Sequence, residues 1–293
     1  MPWKEIESAI RASAPAFEIA FKSQAGGGCI NRCYRIEGKS GLLYFVKLNA
    51  VSLLAMFEAE ADGLQEILAS KTIRAPKPLC CGTAANQSFI VMESIPMSGS
   101  GQGDTPQKMG EQLAAMHRHT QAMFGWHRDN TIGSTPQDNR QLSDWIDFFR
   151  TRRLGFQLDL AEKNGFGGAL YEKGKRLLDG MAHFFAGYQP QPSLLHGDLW
   201  GGNQAADQHG NPVLFDPAVY YGDREADLAM TELFGGFSGK FYEAYQQQWP
   251  LDPGYRVRKN LYNLYHILNH ANLFGSSYAR QAEVMIDRLL AET

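Results

Sequence analysis

Side chains that can supply oxygen ligands stand close together in two short segments of the second half of the chain. The letters HGDLWGGN occupy residues 196–203, and FDP follows at residues 215–217. Phosphoryl transfer requires a carboxylate that accepts or orients the proton of the attacking hydroxyl, and oxygen ligands for the Mg²⁺ on the nucleotide phosphates. The spacing predicts Asp198 as the catalytic base, with Asn203 and Asp216 as ligands of the metal ion. Amide and carboxylate oxygens are donors that suit Mg²⁺.

The presence of Gly, Asp and Asn in these segments also has a purely conformational explanation. Turns favour Gly, Asp and Asn because of their backbone freedom and short polar side chains. HGD alone would therefore be a weak signal for chemistry. The second aspartate, at a matching distance, and two features further upstream favour the chemical explanation.

Two features of the N-terminal third could serve a nucleotide. Gly26, Gly27 and Gly28 lie between two predicted strands, where the missing Cβ atoms would let backbone amides approach phosphates closely. They lack the GxGxxG spacing, so an ordinary flexible hairpin is an equal alternative. Lys47 ends a predicted strand, and a kinase-like small lobe needs such a lysine on the phosphates, held by a glutamate of the next helix. The predicted cofactors are ATP and Mg²⁺.

The periodicity of apolar residues indicates the elements that must position these groups. Alternation over residues 17–50 predicts a strand meander, and helical spacing over residues 53–68 predicts a helix that ends before APKP. A further strand is predicted at residues 87–94. The Gly- and Ser-rich residues 97–107 have the composition of a linker, and the pattern beyond them is mainly helical.

These elements predict an α+β fold of two lobes. Residues 1–95 would form the small, β-rich lobe that binds ATP, and residues 96–293 the larger, mainly helical lobe for catalysis and substrate binding. The last strand of the small lobe runs into the linker at Met92, Glu93 and Ile95. Backbone groups of this hinge are expected to meet adenine.

Composition and charge argue against several classes of partner. The net charge of −3 offers no basic field that would gather nucleic acid or an anionic membrane surface. The first residues lack the apolar core of a secretory signal, and no run of about 18 apolar residues could span a bilayer, so a cytoplasmic location is expected. The four cysteines lack the spacing of a zinc site and are expected to be reduced. A monomer and a homodimer are both open.

Taken in order, these segments resemble the kinase-like phosphotransferases that include aminoglycoside, choline and fructosamine kinases. The fructosamine kinases match best, in GGGCIN, in MFEAEADGL followed by APKP, in HGDLWGGN, in FDPAVYYGDREADLAM followed by FGGF, and in LYNLYHILNHANLFG. These stretches cover nearly the whole chain, and HGDLW and FDPA with YGD are the specific ones. The resemblance implies a protein-kinase-like fold and ATP-dependent phosphorylation of the O3 hydroxyl of a ketosamine, such as a fructosamine or a ribulosamine. It also implies deglycation, because the product then releases its amine.

The resemblance also suggests roles for single residues. Glu58 and Glu60 are two residues apart and so lie on different helix faces. Glu60 is expected to hold Lys47, because its placement resembles that in the aminoglycoside phosphotransferases. Trp200 and His196 are expected beside the acceptor, where the indole ring could stack on a sugar face.

Other polar residues keep two interpretations. Cys29 is either a reactive thiol whose oxidation would obstruct ATP or an inert small residue. Asp227 is expected to hold the large lobe together, and the role of Asp223 is open. His266 and His270 stand one helical turn apart, a spacing that could bind a metal, but a partly buried face near the acceptor is favoured because no third ligand is evident.

Two rival functions use the same residues differently. A kinase for aminoglycosides or choline would be favoured by an acidic acceptor cleft. A catalytically inactive nucleotide-binding scaffold would have no need of all four of Lys47, Asp198, Asn203 and Asp216, and their retention argues against it.

Overall fold

The N-terminal part of the molecule is built on one antiparallel sheet. A computed structural model of the chain describes residues 2–26, 31–98 and 103–292. The five strands of this sheet pair in the order β1-β2-β3-β5-β4. In chain order they are β1 (Ile19–Ala25), β2 (Arg32–Gly38), β3 (Leu43–Ala50), β4 (Pro78–Ala84) and β5 (Gln87–Glu93).

One strand of this sheet, β4, was not predicted. It begins with a proline and continues with Leu-Cys-Cys-Gly, which lacks the alternation that marks a half-buried strand. A proline is tolerated there because β4 lies at the edge of the sheet, where an N–H is not needed for a second ladder. Tertiary position therefore decides the structure of this segment.

Two helices cover the opposite faces of the sheet. Helix α1 (Trp3–Arg11) buries Ile6 and Ile10 in one apolar cluster with the strands. Helix α2 (Leu54–Ala69) packs against β4 and β5 and belongs to the other cluster. Since side chains alternate along a strand, Lys47 of β3 points away from the α1 side, where its neighbours Val46 and Leu48 are buried.

The C-terminal part is mainly helical. Its helices are α3 (Thr105–His117), α4 (Trp145–Phe148), α5 (Gly155–Ala161), α6 (Ala169–Asp179), α7 (Glu225–Leu233), α8 (Gly239–Gln248), α9 (Tyr255–Phe274) and α10 (Ser276–Leu290). Helical turns of the wider π type, Phe149–Leu154 and Glu162–Phe166, flank α5. The core helix is α9, which packs against α5, α7 and α10.

Short strand pairs in this part carry the loops with the two aspartates. Three further strands, β6 (Met97–Ser98), β10 (Gln204–Asp207) and β11 (Pro212–Leu214), pair in the order β11-β10-β6. Two hydrogen-bonded pairs complete the set: β9 (Ser193–Leu195) with β12 (Tyr220–Gly222), and β7 (Asn130–Ile132) with β8 (Thr135–Gln137). The HGD loop therefore follows β9, and the FDP loop follows β11.

The pairing of β6 with β10 joins the segment after residue 96 to the helical part. The lobe boundary between residues 95 and 96 stays a prediction. Within the described ranges, no helix has both the length and the apolarity needed to cross a membrane. Cys33, Cys80 and Cys81 are free thiols.

Candidate active site

A cleft between the sheet and the helical part gathers most of the predicted catalytic side chains. The cleft encloses about 460 Å³. Its lining includes Lys47 and Glu60 from the N-terminal part, and Asp198, Asn203 and Asp216 from the two loops of the C-terminal part. Residues separated by up to 169 positions in the sequence thus share one space.

Lys47 links the two halves of the cleft. Its Nζ lies 2.5 Å from Oε1 of Glu60 on α2 and 2.6 Å from Oδ1 of Asp216. Burial disfavours the ammonium, but the two carboxylates outweigh it and raise the pKa of Lys47 above its usual value. The alternative partner, Glu58, lies instead 3.6 Å from Arg128. The lysine is therefore a fixed positive charge inside the cleft.

The HGD loop is held from behind by a buried aspartate. Asp227 of α7 accepts hydrogen bonds from the backbone N–H of His196, at 2.7 Å, and of Gly197, at 2.9 Å. Gly197 has a φ of 82°, and a Cβ there would lie 2.1 Å from the carbonyl oxygen of Ala218. Only glycine fits this position, because any side chain would collide with the backbone.

Asp198 follows directly and faces the cleft. The side-chain amide of Asn203 donates to its Oδ2 at 3.0 Å and to its backbone oxygen at 2.9 Å. Burial raises the pKa of Asp198 to about 7, although the Asn203 hydrogen bond favours the charged carboxylate. A group that titrates near neutral pH is well matched to proton acceptance at that pH.

Asn203 and Asp216 offer oxygens to a metal ion. Since the NH₂ group of Asn203 is bound to Asp198, its side-chain oxygen is left to face a cation. Asp216 has a φ of 56°, a left-handed conformation that costs a residue with a side chain roughly 1–3 kcal/mol and is typical of functional sites. Across the described ranges, no group of three or more His, Cys, Asp or Glu could hold a metal. An amide oxygen and a carboxylate are donors that fit Mg²⁺, which usually takes one or two protein ligands and completes its shell with water and phosphate oxygens.

The structure argues against the substrate contact expected of His196. Its side chain is fully buried, and its Nε2 donates to the backbone oxygen of Phe215 at 3.0 Å. Its Nδ1 then accepts the backbone N–H of Asp198 at 3.3 Å. Both ring nitrogens are used inside the protein, so His196 positions the catalytic loop instead of meeting the acceptor.

Trp200 lies in the wall of the cleft, as expected of a residue near the acceptor, and is 39% exposed. Its ring lies over Gly202, where a Cβ would come within 2.2 Å of the indole. Gly202 therefore leaves the room that this orientation of the ring requires. Stacking on a sugar stays a prediction.

The predicted hinge residues are less clearly connected to the cleft. Met92 and Ile95 are buried, and the Glu93 carboxylate accepts a hydrogen bond from Arg74 at 2.8 Å. Arg74 also donates to Asp207 of β10 at 2.7 Å, so the end of β5 is tied to the C-terminal part. Among the described residues, the lining of the cleft does not include Met92, Glu93 or Ile95. Their contact with adenine stays a prediction.

The glycine run and its thiol fall mostly outside the described residues. Gly26 is exposed just after β1. Gly27, Gly28 and Cys29 lie outside the described ranges. The nucleotide loop and the redox role of Cys29 therefore stay hypotheses from the sequence.

Sequence reasoning missed His117 on α3, a fully buried residue behind the catalytic loop. Its Nδ1 lies 2.8 Å from the hydroxyl of Tyr245, and its Nε2 lies 3.2 Å from Oδ2 of Asp227. It therefore fixes the aspartate that holds the HGD loop. A lone histidine on an apolar helix face carries no sequence signal for such a role, because its partner is 110 positions away.

Asp223, whose role the sequence left open, is also structural. It accepts hydrogen bonds from the hydroxyls of Tyr262, at 2.5 Å, and Tyr188, at 2.9 Å. Its Oδ1 also accepts the backbone N–H of Glu225 at 3.0 Å, at the start of α7. Asp223 thus anchors the helix that carries Asp227.

Comparison with known proteins is consistent with this geometry. A family model described as fructosamine kinase matches residues 2–292. A probable ketoamine kinase of Synechocystis sp. is 46% identical over 99% of this chain and 97% of its own length. A chloroplastic protein-ribulosamine 3-kinase of Oryza sativa subsp. japonica is 44% identical over 96% of this chain and 82% of its own.

Solved structures agree on the fold. A Haemophilus somnus 129PT protein assigned as a fructosamine-3-kinase superposes with a TM-score of 0.89 at 29% identity, covering 99% of this chain and 98% of that one. An aminoglycoside phosphotransferase in complex with ADP and hygromycin B superposes with a TM-score of 0.61 at 15% identity, covering 98% of both chains, which shows the fold alone. The expected α+β, protein-kinase-like fold is confirmed, and the chain belongs to the fructosamine kinase family.

Proposed function

We propose that this enzyme transfers the γ-phosphoryl group of ATP to the O3 hydroxyl of a ketosamine. The observation that carries the proposal is the pairing, in one cleft, of Lys47 with Glu60 and Asp216 and of Asp198 with Asn203. These are the parts that phosphoryl transfer requires. The acceptor class is supported by the names of the relatives, which refer to ketoamines and protein-bound ribulosamine.

Each residue has a distinct part in the proposed reaction. Asp198 accepts the proton of the acceptor hydroxyl as the hydroxyl attacks, and its pKa of about 7 suits that task. Lys47 provides a fixed positive charge for the phosphate oxygens. Asn203 and Asp216 would hold Mg²⁺, which when bound would neutralise negative charge on the nucleotide phosphates.

The rest of the cleft favours a ketosamine over an aminoglycoside. An aminoglycoside carries several ammonium groups and calls for several carboxylates around the acceptor. Among the described residues that line the cleft, the carboxylates are Glu60, Asp198 and Asp216, all within the catalytic group. Apart from Lys47, the remaining lining is formed by aromatic, histidine, amide, hydroxyl, thioether and aliphatic side chains.

The proposal is tested by initial rates of ATP consumption on five acceptors. Fructosyl-lysine and ribulosyl-lysine should be phosphorylated much faster than free fructose, choline or kanamycin. A site built to bind a given polar group rejects analogues that lack it, by as much as about 10⁴-fold. A dominant rate on kanamycin or choline would keep the family assignment and overturn the proposed acceptor.

A further inference from the structure

One wall of the cleft is built from ring side chains that the proposed chemistry does not use. Its members come from the catalytic loop, the end of α7, helix α9 and helix α10, and all of them line the cleft. We call this set the aromatic wall: Trp200, Phe234, His266, His270, Phe274 and Tyr278.

Five rings of the wall contact one another in a continuous series, those of Trp200, Phe234, His270, Phe274 and Tyr278. His270 is central, with centroid distances of 5.0 Å to Phe234, 5.1 Å to Tyr278 and 5.5 Å to Phe274. Trp200 meets Phe234 edge to face at 6.4 Å. The series therefore runs from the residue two positions after Asp198 to Phe274, whose side chain is 62% exposed.

Hydrogen bonding sets the proton position on His270. Its Nδ1 lies 2.8 Å from the backbone oxygen of His266, and a carbonyl oxygen can only accept, so Nδ1 carries the hydrogen. In the neutral ring, Nε2 then has a free lone pair. Burial lowers the pKa of His270, so the neutral form is favoured. Within the described residues, Nε2 makes no hydrogen bond, so an acceptor faces this region of the cleft.

His266 adds a second polar group without a partner. It is only 5% exposed, and its ring makes no hydrogen bond to any described residue. Burial lowers its pKa to about 3, so it too is neutral. Both imidazole rings line the cleft, so a ligand bound there can reach them. Two neutral imidazoles among aromatic faces therefore suit a ligand that is cationic and donates hydrogen bonds.

A ketosamine offers such a group one carbon away from its sugar ring. Its nitrogen is a secondary amine, which is protonated at neutral pH and carries two N–H donors. We propose that the aromatic wall binds this ammonium group, with Nε2 of His270 accepting one of its hydrogen bonds, and that Phe274 and Tyr278 contact the carbon chain that carries the amine. The inference rests on the proposed function and adds to it the recognition of the amine side of the acceptor.

This arrangement explains how one cleft can serve both small and protein-bound acceptors. The sugar lies near Asp198, the ammonium lies among the rings, and the carrier chain leaves past the exposed Phe274 toward solvent. The enzyme therefore recognises its acceptor by the ammonium group and the first carbons of the attached chain. The rest of the carrier makes no required contact.

The test compares a ketosamine with its neutral ether. Alkylamino-deoxyfructose and the analogue with oxygen in place of nitrogen differ in one charged donor group. Wild-type enzyme should prefer the amine in kcat/KM by about tenfold or more, the size expected of one hydrogen bond to a charged group. His270→Phe should reduce this preference severalfold through KM, with kcat nearly unchanged. His183→Phe, at an exposed histidine outside the cleft, is the matched control and should keep the preference.

Phe274→Ala provides an independent readout at an exposed position that should not disturb folding. It should raise KM for a ketosamine with a long amine chain and leave the methylamine derivative unchanged. The 3-deoxy ketosamines cannot be phosphorylated at O3, so calorimetry measures their binding alone. Phe274→Ala should raise the Kd of the 3-deoxy compound with a long amine chain and leave the Kd of the methylamine compound unchanged.

Equal use of amine and ether by the wild type, or an unchanged preference in His270→Phe, would overturn the inference and leave the ketosamine kinase in place. A wild type inactive on both compounds but active on kanamycin would instead overturn the proposed function, and the inference with it.

Discussion

The two sides of the cleft are stabilised by different interactions, ion pairs on one side and packing between neutral rings on the other. On the nucleotide side, Lys47 lies between the carboxylates of Glu60 and Asp216 at ion-pair distance. On the acceptor side, the aromatic wall is neutral, and its rings pack against one another around His270. A buried charge that loses its partner is strongly destabilising. A neutral ring can be replaced by another neutral side chain of similar volume at a smaller cost in stability.

This difference indicates which properties each side can change. Removing one charge on the nucleotide side leaves its partner unpaired and disturbs catalysis itself. Changing a ring on the acceptor side alters the shape and polarity that the acceptor meets, and leaves the phosphoryl-transfer groups in place. Substitutions on the two sides should therefore separate into effects on kcat and nucleotide binding, and effects on acceptor KM.

The largest effect is expected at the point where the two sides meet. Asp198→Asn removes the proton acceptor and keeps the shape of the side chain, so kcat should fall by about 10²–10⁴-fold. Affinity for Mg·ATP and KM for the acceptor should change little, because the carboxylate acts on the hydroxyl proton. Single-turnover kinetics with equilibrium nucleotide binding would separate these terms. Near-normal turnover would remove Asp198 from the role of base.

A loss of nucleotide binding is expected on the charged side alone. Asp216→Ala removes a proposed metal ligand and one of the two partners of Lys47, so both kcat and the stabilisation by Mg·ATP should decrease. A thermal-shift titration measures the stabilisation, and Asp179→Ala, at an exposed carboxylate of α6, is a control. Equal stabilisation in wild type and Asp216→Ala would contradict the metal assignment.

Two pairs of residues in the catalytic group were predictable from the sequence because each pair is local, whereas the contact of Lys47 with Asp216 joins residues 169 positions apart. Asp198 and Asn203 belong to one loop, and Lys47 and Glu60 are 13 positions apart on consecutive elements. Residues this close in the sequence can take only a few positions relative to one another. Asp216 follows β11, the second strand after the HGD loop, and its loop lies beside the HGD loop.

Predictions failed where the outcome depended on distant partners. His196 belongs to the same motif as Asp198, but its ring points into the protein and hydrogen-bonds to the backbone oxygen of Phe215. The sequence of the motif does not indicate this side-chain orientation. His117 gains its role only through Asp227. The aromatic wall needs α10 to fold back along α9, so helical periodicity alone indicated that His266 and His270 share a face and left their ligand open.

The smallest effect concerns pH. The pKa of Asp198 is raised to about 7, and its active form is the carboxylate. The reaction rate should therefore rise with pH as Asp198 loses its proton, between about pH 6 and pH 8, and level off above that. The relevant quantity is kcat/KM at low nucleotide concentration, since it reports the free enzyme. A profile that stays flat over this range would show that Asp198 does not titrate there.

The most direct test of the proposed activity is the position of the phosphate in the product. The enzyme is incubated with ATP, Mg²⁺ and fructosyl-lysine, and the product is followed by ³¹P and ¹³C NMR, with Asp198→Asn as the inactive control. The account predicts a phosphate on O3 and, after it, the appearance of inorganic phosphate and free lysine, because the O3 phosphate is eliminated and water then hydrolyses the resulting Schiff base to a 3-deoxy dicarbonyl sugar and the amine. A phosphate on any other hydroxyl, or a stable product that never releases lysine, would contradict it.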